Sequence, residues 1–306
     1  MTSTDLYTVS GLALWQWRAA ARQQTIAAKV PIAELDWFLQ AIADLDRLSL
    51  RLETFKERSQ IVLKISFVDL QQRWQQRLQE QVPVQYLAGT TPWRQLTLKV
   101  APGVLIPRPE TEGIIDLALM AIADHPPDFA QGHWVDLGTG SGAIAIGLAD
   151  ALPHATLHAV DCSAAALAIA QENAQTLGFA SRIHFYQGHW FDPLAHLAGQ
   201  LSGMVSNPPY IPHPLIPTLQ PEVDRHEPHL ALDGGPDGLD AIRYLIAIAP
   251  RYLKPDGIWL IEMMAGQADS VTHLLQQQGQ YGDISIHRDL AGLERFALAY
   301  YRPKEQ

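Results

Sequence analysis

The chain reads as an α/β protein, an open and mostly parallel Rossmann-like sheet covered by helices, with a small helical module ahead of it. Three observations predict this. His133-Trp134-Val135-Asp136-Leu137 is an apolar run of strand length that breaks at Gly138-Thr139-Gly140-Ser141-Gly142 and resumes as the helical Ala143-Ile144-Ala145-Ile146-Gly147-Leu148. A second run, Thr156-Leu157-His158-Ala159-Val160, ends in Asp161, nineteen residues after Gly142. A third, Met204-Val205-Ser206, delivers the chain into Asn207-Pro208-Pro209-Tyr210. Loops at the carboxyl ends of strands are where open α/β sheets bind their ligands.

Length and composition set the bounds. The 306 residues suffice for one large domain and a small one, and 47% hydrophobic with 18% charged residues is ordinary for a globular protein. Met1-Thr2-Ser3-Thr4-Asp5 lacks the basic and apolar regions of a signal peptide, and no apolar run approaches the ~18 residues of a membrane span. A cytoplasmic protein without membrane contact is expected. The single cysteine, Cys162, excludes an intramolecular disulfide and a cysteine-cluster metal site. The net charge of −10 is unevenly spread: residues 1–82 hold ten Lys and Arg against nine Asp and Glu, the remainder twelve against twenty-three. An acidic surface repels phosphate backbones, so direct nucleic-acid binding is not expected.

Taken in order, residues 12–29 are rich in Ala, Leu and Trp and suit a helix, and Pro31 fits the first turn of a second carrying Ile32, Leu35, Leu39, Ile42 and Leu45. Leu70, Trp74 and Leu78 form a later stripe backed by glutamines. Residues 1–82 are therefore expected to be an all-helical module whose stripes are core. Residues 83–104 form a link, in which Leu96-Thr97-Leu98-Lys99-Val100 alternates as a hairpin strand does. From residue 105 onward the chemistry begins. Leu105-Ile106-Pro107-Arg108-Pro109-Glu110-Thr111-Glu112 is an ordered loop leading into a helix, whose dipole the two acids favour.

After Asp161, the strand Ile183-His184-Phe185-Tyr186 leads to Gly188-His189-Trp190-Phe191, where Trp190 either flanks an adenine ring or packs in the core. Residues 222–240 are turn-rich, and His226, Glu227 and Asp233 match no metal-ligand spacing, so no metal is expected. Gly257-Ile258-Trp259-Leu260-Ile261-Glu262 is a fifth strand, residues 268–278 a helix, and residues 283–300 two closing strands.

Two stretches carry the chemistry. Glycines 138, 140 and 142 let the backbone approach a ligand and free the N–H groups of the following helix to bind it. Their spacing departs from the dinucleotide fingerprint, and Asp136 ahead of the loop is the acid expected where S-adenosylmethionine is held by its amino-acid end. Asp161 suits both ribose hydroxyls of a nucleoside. In the second stretch, two prolines fix φ and hold the loop rigid. Asn207 Oδ1 and the Pro208 carbonyl can then each accept one N–H of a planar NH₂ group, with the Tyr210 ring over its face.

Together these residues resemble the peptide chain release factor glutamine methyltransferases. The resemblance runs through Gln85-Tyr86-Leu87-Ala88-Gly89, residues 105–112, 135–142 and 206–210, Glu227-Pro228 and residues 231–238, in that family's order. His189 stands where such enzymes often carry an acid, and Thr91-Pro92-Trp93 replaces their acidic and aromatic pattern. The resemblance implies a class I S-adenosylmethionine-dependent fold, with a seven-stranded sheet whose last strand is antiparallel and an N-terminal helical bundle that docks the substrate. It also implies S-adenosyl-L-methionine as donor, S-adenosyl-L-homocysteine as product, and a release factor's Gly-Gly-Gln glutamine as substrate, methylated at N5. The cofactor positions it carries over are Gly138, Thr139, Gly140, Ser141, Gly142, Asp161, Trp190 and Asn207, with Asp136 beside them. Asn207, Pro208, Pro209 and Tyr210 form the substrate socket. Three alternatives share parts of this pattern: methylation of an exocyclic amine of nucleic acid, methylation of a ribosomal-protein glutamine, and a non-catalytic cofactor-binding scaffold.

Overall fold

The computed structural model describes residues 7–123 and 125–304. The chain divides into two compact units, Met1–Thr90 with Pro221–His226, and Thr91–Gln220 with Glu227–Gln306.

The first unit is built on helices Gly11–Ala27, Ile32–Ile42, Arg47–Leu52, Phe67–Gln79 and Val84–Ala88. Ser10 and Ser66 cap the two longest, each accepting an N–H from three residues on. Leu14, Leu35, Phe38, Leu39, Phe55, Leu70 and Trp74 are fully enclosed. Phe38 stacks on Trp74 at 5.7 Å between ring centroids. Truncating a buried aromatic of this kind costs ~3–5 kcal/mol, because the cavity collapses only in part. Two buried arginines cross-link the helices: Arg18 meets Asp36 at 2.8 Å, and Arg77 meets Glu34 at 2.6 Å and Glu222 at 3.4 Å.

This unit is not all helical as expected. Strand β1 (Tyr7–Val9) pairs antiparallel with β2 (Ile61–Leu63). Ile61 and Leu63 are buried while Val62 is exposed, a period of two that suits a strand and that three residues are too few to announce in sequence.

The second unit opens with the hairpin of β3 (Thr90–Trp93) and β4 (Leu96–Lys99). The remaining strands are β5 (His133–Leu137), β6 (Thr156–Asp161), β7 (Ile183–Gln187), β8 (Leu201–Ser206), β9 (Leu253–Glu262), β10 (Tyr281–Arg288) and β11 (Glu294–Tyr301). They form one sheet in the order β10-β11-β9-β8-β5-β6-β7, and β11, the last in sequence, runs antiparallel to both its neighbours. Helices cover both faces, so the central strands are apolar nearly throughout. Side chains alternate between two cores: Trp134, Leu157, Val205 and Leu260 face one side with Ile115 and Leu148, whereas Val135, Val160, Met204 and Trp259 face the other with Phe191 and Leu245.

The winding reverses between β5 and β8, which opens a crevice at their carboxyl ends. Register pairs Leu137 with Ser206 and Ser206 with Ile261. The next residues along the three strands, Gly138, Asn207 and Glu262, therefore emerge side by side at that crevice.

Candidate active site

A cavity of about 640 Å³ opens there. Gly138, Thr139, Gly140, Ser141, Asp161, Trp190, Asn207 and Pro209 stand in its wall, with Thr111, Pro107 and Pro228 among the other lining residues. Asp136, Gly142, Pro208 and Tyr210 do not. Gly142 begins the helix Ala143–Ala151, and a Cβ there would stand 3.1 Å from the Ala170 methyl. Asp136 lies beneath the glycine loop with no exposure. Its Oδ2 accepts from Thr139 Oγ1 at 2.6 Å and from Ala145 N at 3.0 Å, which clips the loop to the helix it feeds. Burial pushes its pKa up to about 7, aided by the Asp161 charge and opposed by those two hydrogen bonds. Asp136 Oδ1 has no partner among the described residues, the one buried carboxylate oxygen so left.

Asp161 closes the loop from the other side, where Gly140 N donates to Oδ2 at 2.9 Å and Ser163 N to Oδ1 at 2.8 Å. Gly138 and Gly140 both take left-handed backbone, and around the missing Cβ of Gly140 nothing lies within 4 Å. That bare backbone leaves room for a ligand against the loop. The Trp190 ring lies 3.5 Å from where a Gly138 Cβ would be, and Trp190 itself is held at φ 50°. Left-handed backbone is costly for a bulky residue and persists where the surroundings over-determine it.

The loop after β8 is pinned from several directions. Ile211 N donates to Leu232 O and Gly234 N to Ile211 O, both at 2.9 Å, so the Asp233-Gly234-Gly235 turn backs the loop. Gln267 Nε2 donates to Tyr210 O at 3.1 Å. Arg108 Nη2 reaches both carboxylate oxygens of Glu227, at 2.8 and 2.9 Å, tying the turn of Pro107 to that of Pro228 beside the cavity. Asn207 Nδ2 donates to Thr111 Oγ1 at 3.2 Å, and its Oδ1 has no partner among the described residues. Tyr210 turns its hydroxyl toward Glu262 Oε1 at 3.0 Å, and burial raises its pKa further above the ordinary phenol.

Thr111 and Glu262 were missed in sequence as site residues. Thr111 Oγ1 donates to Glu262 Oε2 at 2.6 Å, so one buried carboxylate holds both hydroxyls beneath the loop. Burial drives the Glu262 pKa up to about 7, against the lowering effect of its two hydroxyl donors and of Arg295. A strand-final acid beside the loop was the available signal, but nothing local says that it turns inward. Among the described residues, no group of three or more His, Cys, Asp or Glu is placed to hold a metal ion, and no helix is long and apolar enough to cross a membrane.

A seven-stranded sheet with one antiparallel strand, a glycine loop after β5 and a crevice at the β5/β8 reversal define a class I S-adenosylmethionine-dependent methyltransferase. Residues 102–214 match the methyltransferase small domain family. The chain is 56% identical over 291 residues to the release factor glutamine methyltransferase of Synechocystis sp., covering 95% of this chain and 97% of that one. It is 51% identical over 294 residues to the protein of the same name from Thermosynechococcus vestitus, covering 95% and 99%. Among solved structures, the hMettl16 catalytic domain in complex with the MAT2A 3'UTR hairpin 6 shares the fold, with a TM-score of 0.56 at 13% identity over 87% of this chain and 90% of that one. The chain belongs to the release factor glutamine methyltransferase family.

Proposed function

We infer that the chain transfers a methyl group to the side-chain nitrogen (N5) of the glutamine in the Gly-Gly-Gln loop of a peptide chain release factor, in the cytoplasm. S-adenosyl-L-methionine is the donor and S-adenosyl-L-homocysteine the product. The observation that carries this reading is the Asn207 amide, whose Nδ2 is engaged by Thr111 and whose Oδ1 is left as an acceptor at the cavity wall, in line with the glycine loop.

The bound donor supplies an electrophilic methyl on a sulfonium. In this reading Asp161 accepts the ribose hydroxyls, since each of its oxygens has taken only one backbone N–H. Trp190 flanks the adenine. The Ser141 N–H suits the carboxylate of the donor's amino-acid end, and the unpartnered Asp136 Oδ1, beneath the loop, suits its ammonium. Asn207 Oδ1 and the Pro208 carbonyl grip the two N–H groups of the substrate amide, and Pro209 walls the cavity beside them. Tyr210, outside the wall, supports the loop.

An amide nitrogen is a poor nucleophile because its lone pair is delocalised into the carbonyl. Two fixed acceptors aim it, favour its pyramidalisation and stabilise the positive charge that grows on its protons as the bond forms. Glycines beside the target glutamine let an extended loop enter a narrow cleft. Residues 1–82 serve as the docking module for the release factor, residues 83–104 as the link, and residues 105–306 as the catalytic domain. Mass spectrometry of a purified release factor after incubation with enzyme and donor is expected to find one methyl on the loop glutamine and none on the Gln→Ala variant of that loop. Equal labelling of both would overturn the reading.

A further inference from the structure

Shape alone cannot tell the two ends of an amide apart, because the oxygen and the NH₂ group of asparagine are nearly the same size, so the hydrogen-bond partners decide. Asn207 works as an acceptor only if its oxygen faces the substrate. With the ends exchanged, an NH₂ would confront an NH₂. What decides between the two lies underneath. Thr111 has a single hydroxyl proton and donates it to Glu262 Oε2 at 2.6 Å, so toward Asn207 its oxygen can only accept. The amide end 3.2 Å away must then be Nδ2, and Oδ1 turns outward. Tyr210 places its own proton on the second oxygen of Glu262 at 3.0 Å, so the carboxylate is bound on both sides by donors.

We propose that Glu262 is a positioning residue that, acting through the Thr111 hydroxyl, orients the Asn207 amide with its oxygen toward the substrate nitrogen. The proposal rests on the reading of Asn207 as the acceptor. Glu262 is fully buried, and a charge there costs stability unless something requires it. Proton direction is such a requirement. A protonated Glu262 would have to donate to Thr111 or to Tyr210, and donation to Thr111 turns that hydroxyl's proton onto Asn207 and reverses the amide.

The groups that bear on this carboxyl are few. Tyr210 and Thr111 touch it; Arg295 on β11 favours the charged form; Glu110, one residue before Thr111, disfavours it. Arg295 is itself paired with Asp289 at 3.3 Å. Ser206, on the adjoining strand β8, directs its hydroxyl away to Leu137 O at 2.6 Å. The carboxyl's pKa of about 7 puts the reversal within the working range.

The test uses Thr111→Val, Thr111→Ser and Glu262→Gln in the full chain. Valine keeps the volume of threonine and loses the hydroxyl, whereas serine keeps the hydroxyl and loses the methyl. Single-turnover methyl transfer to the release factor at saturating donor should fall roughly 10- to 100-fold in Thr111→Val, as expected for a misaimed reacting group, and return to near wild type in Thr111→Ser. Donor affinity should change little in either. Wild-type rates should decline on the acid side of about pH 7, and Glu262→Gln should be slow with a smaller acid limb, any remainder falling to Asp136, which titrates in the same range. Serine as damaging as valine would assign Thr111 to packing, and wild-type rates with an undiminished acid limb in Glu262→Gln would remove Glu262; either overturns the proposal. A second readout needs no substrate: the Asn207 side-chain NH₂ resonances, assigned by their loss in Asn207→Asp, should be slowly exchanging in wild type and Thr111→Ser but fast in Thr111→Val. Should the wild type methylate no release factor, the functional reading fails, while these resonances still decide the orientation of the amide.

Discussion

Two carboxylates lie beneath the two halves of the cavity, and they are nearly copies of one device. Asp136 under the glycine loop and Glu262 under the Asn207 loop are both fully buried, and each is gripped by a threonine hydroxyl at 2.6 Å. Burial drives both pKa values up to about 7. They differ in the second oxygen. Asp136 Oδ1 is left without a partner, whereas Glu262 Oε1 accepts from Tyr210. An orphaned buried acceptor is tolerated where a ligand completes it, and a saturated one serves to fix its neighbours. On the proposed reading, the half above Asp136 is the one a bound donor would complete, and the half above Glu262 is already paired.

The largest expected effect falls on the half above Glu262. Asn207→Ala removes an acceptor for charge that develops in the transition state, at a cost of ~3 kcal/mol or about a hundredfold in kcat, with donor binding much less affected. Asn207→Asp keeps an acceptor and should retain more activity than alanine. Wild-type single-turnover rates from the alanine variant would end the contrast between the two halves.

Asp136→Asn sharpens the contrast from the other side. Removing an incompletely paired buried charge should stabilise the free protein by ~2 kcal/mol in alkaline buffer while weakening donor binding. The sign follows from a folded pKa raised from 3.8 to about 7. The charge penalty is absent below the ordinary carboxylate value, grows as pH rises between the two, and is complete above the higher one. Denaturant titrations at both ends of that range check it; an equal gain at both would mean that charge is not the cause.

Asp161→Ala comes next, with donor affinity expected to drop roughly tenfold and kcat at saturating donor nearly unchanged, because ribose contacts are the same in ground and transition states. Calorimetry and initial rates separate the two. A collapse of kcat with donor affinity intact would contradict that role.

The smallest effect lies away from the cavity. His158 on β6 meets His133 at 2.9 Å and the Tyr186 hydroxyl at 3.2 Å, with His184 stacked on it. Burial, then the neighbouring histidines, lower its pKa to about 3 from 6.5. A base held neutral in the fold contributes stability at neutral pH that is lost as pH falls below its ordinary value, here by at most roughly 1 kcal/mol over the first unit because solvent and the other imidazoles share the cost. His158→Gln should flatten that acid decline in thermal unfolding and leave methyl transfer at neutral pH unchanged. An identical decline would show that the cluster does not contribute.

Much of the site could be read from the chain alone because its signals are local. Asp136, the glycine loop, Asp161 and the 207–210 loop each declare themselves by an apolar run ending in a residue of special chemistry, and the two-period and helical patterns on either side announce an α/β sheet. Other features stayed hidden. The pairing of β1 with β2 joins two three-residue strands with four helical segments of sequence between them, a contact no short periodicity encodes. Tyr210 turns its hydroxyl to Glu262, a partner that nothing near it in the sequence announces.

Sequence by itself determined the class of sheet, the two loops at its carboxyl edge and the residue types they carry, since strand ends and turns are settled by neighbours along the chain. Only the tertiary structure decided which way those residues face. Thr111 and Glu262 are 151 residues apart and meet at the edge where the register of β8 against β9 also sets Asn207 beside Glu262. The direction of one hydroxyl proton depends on that meeting, and hydrogen-bond partnership across a sheet is a property of strand order, which linear spacing does not carry.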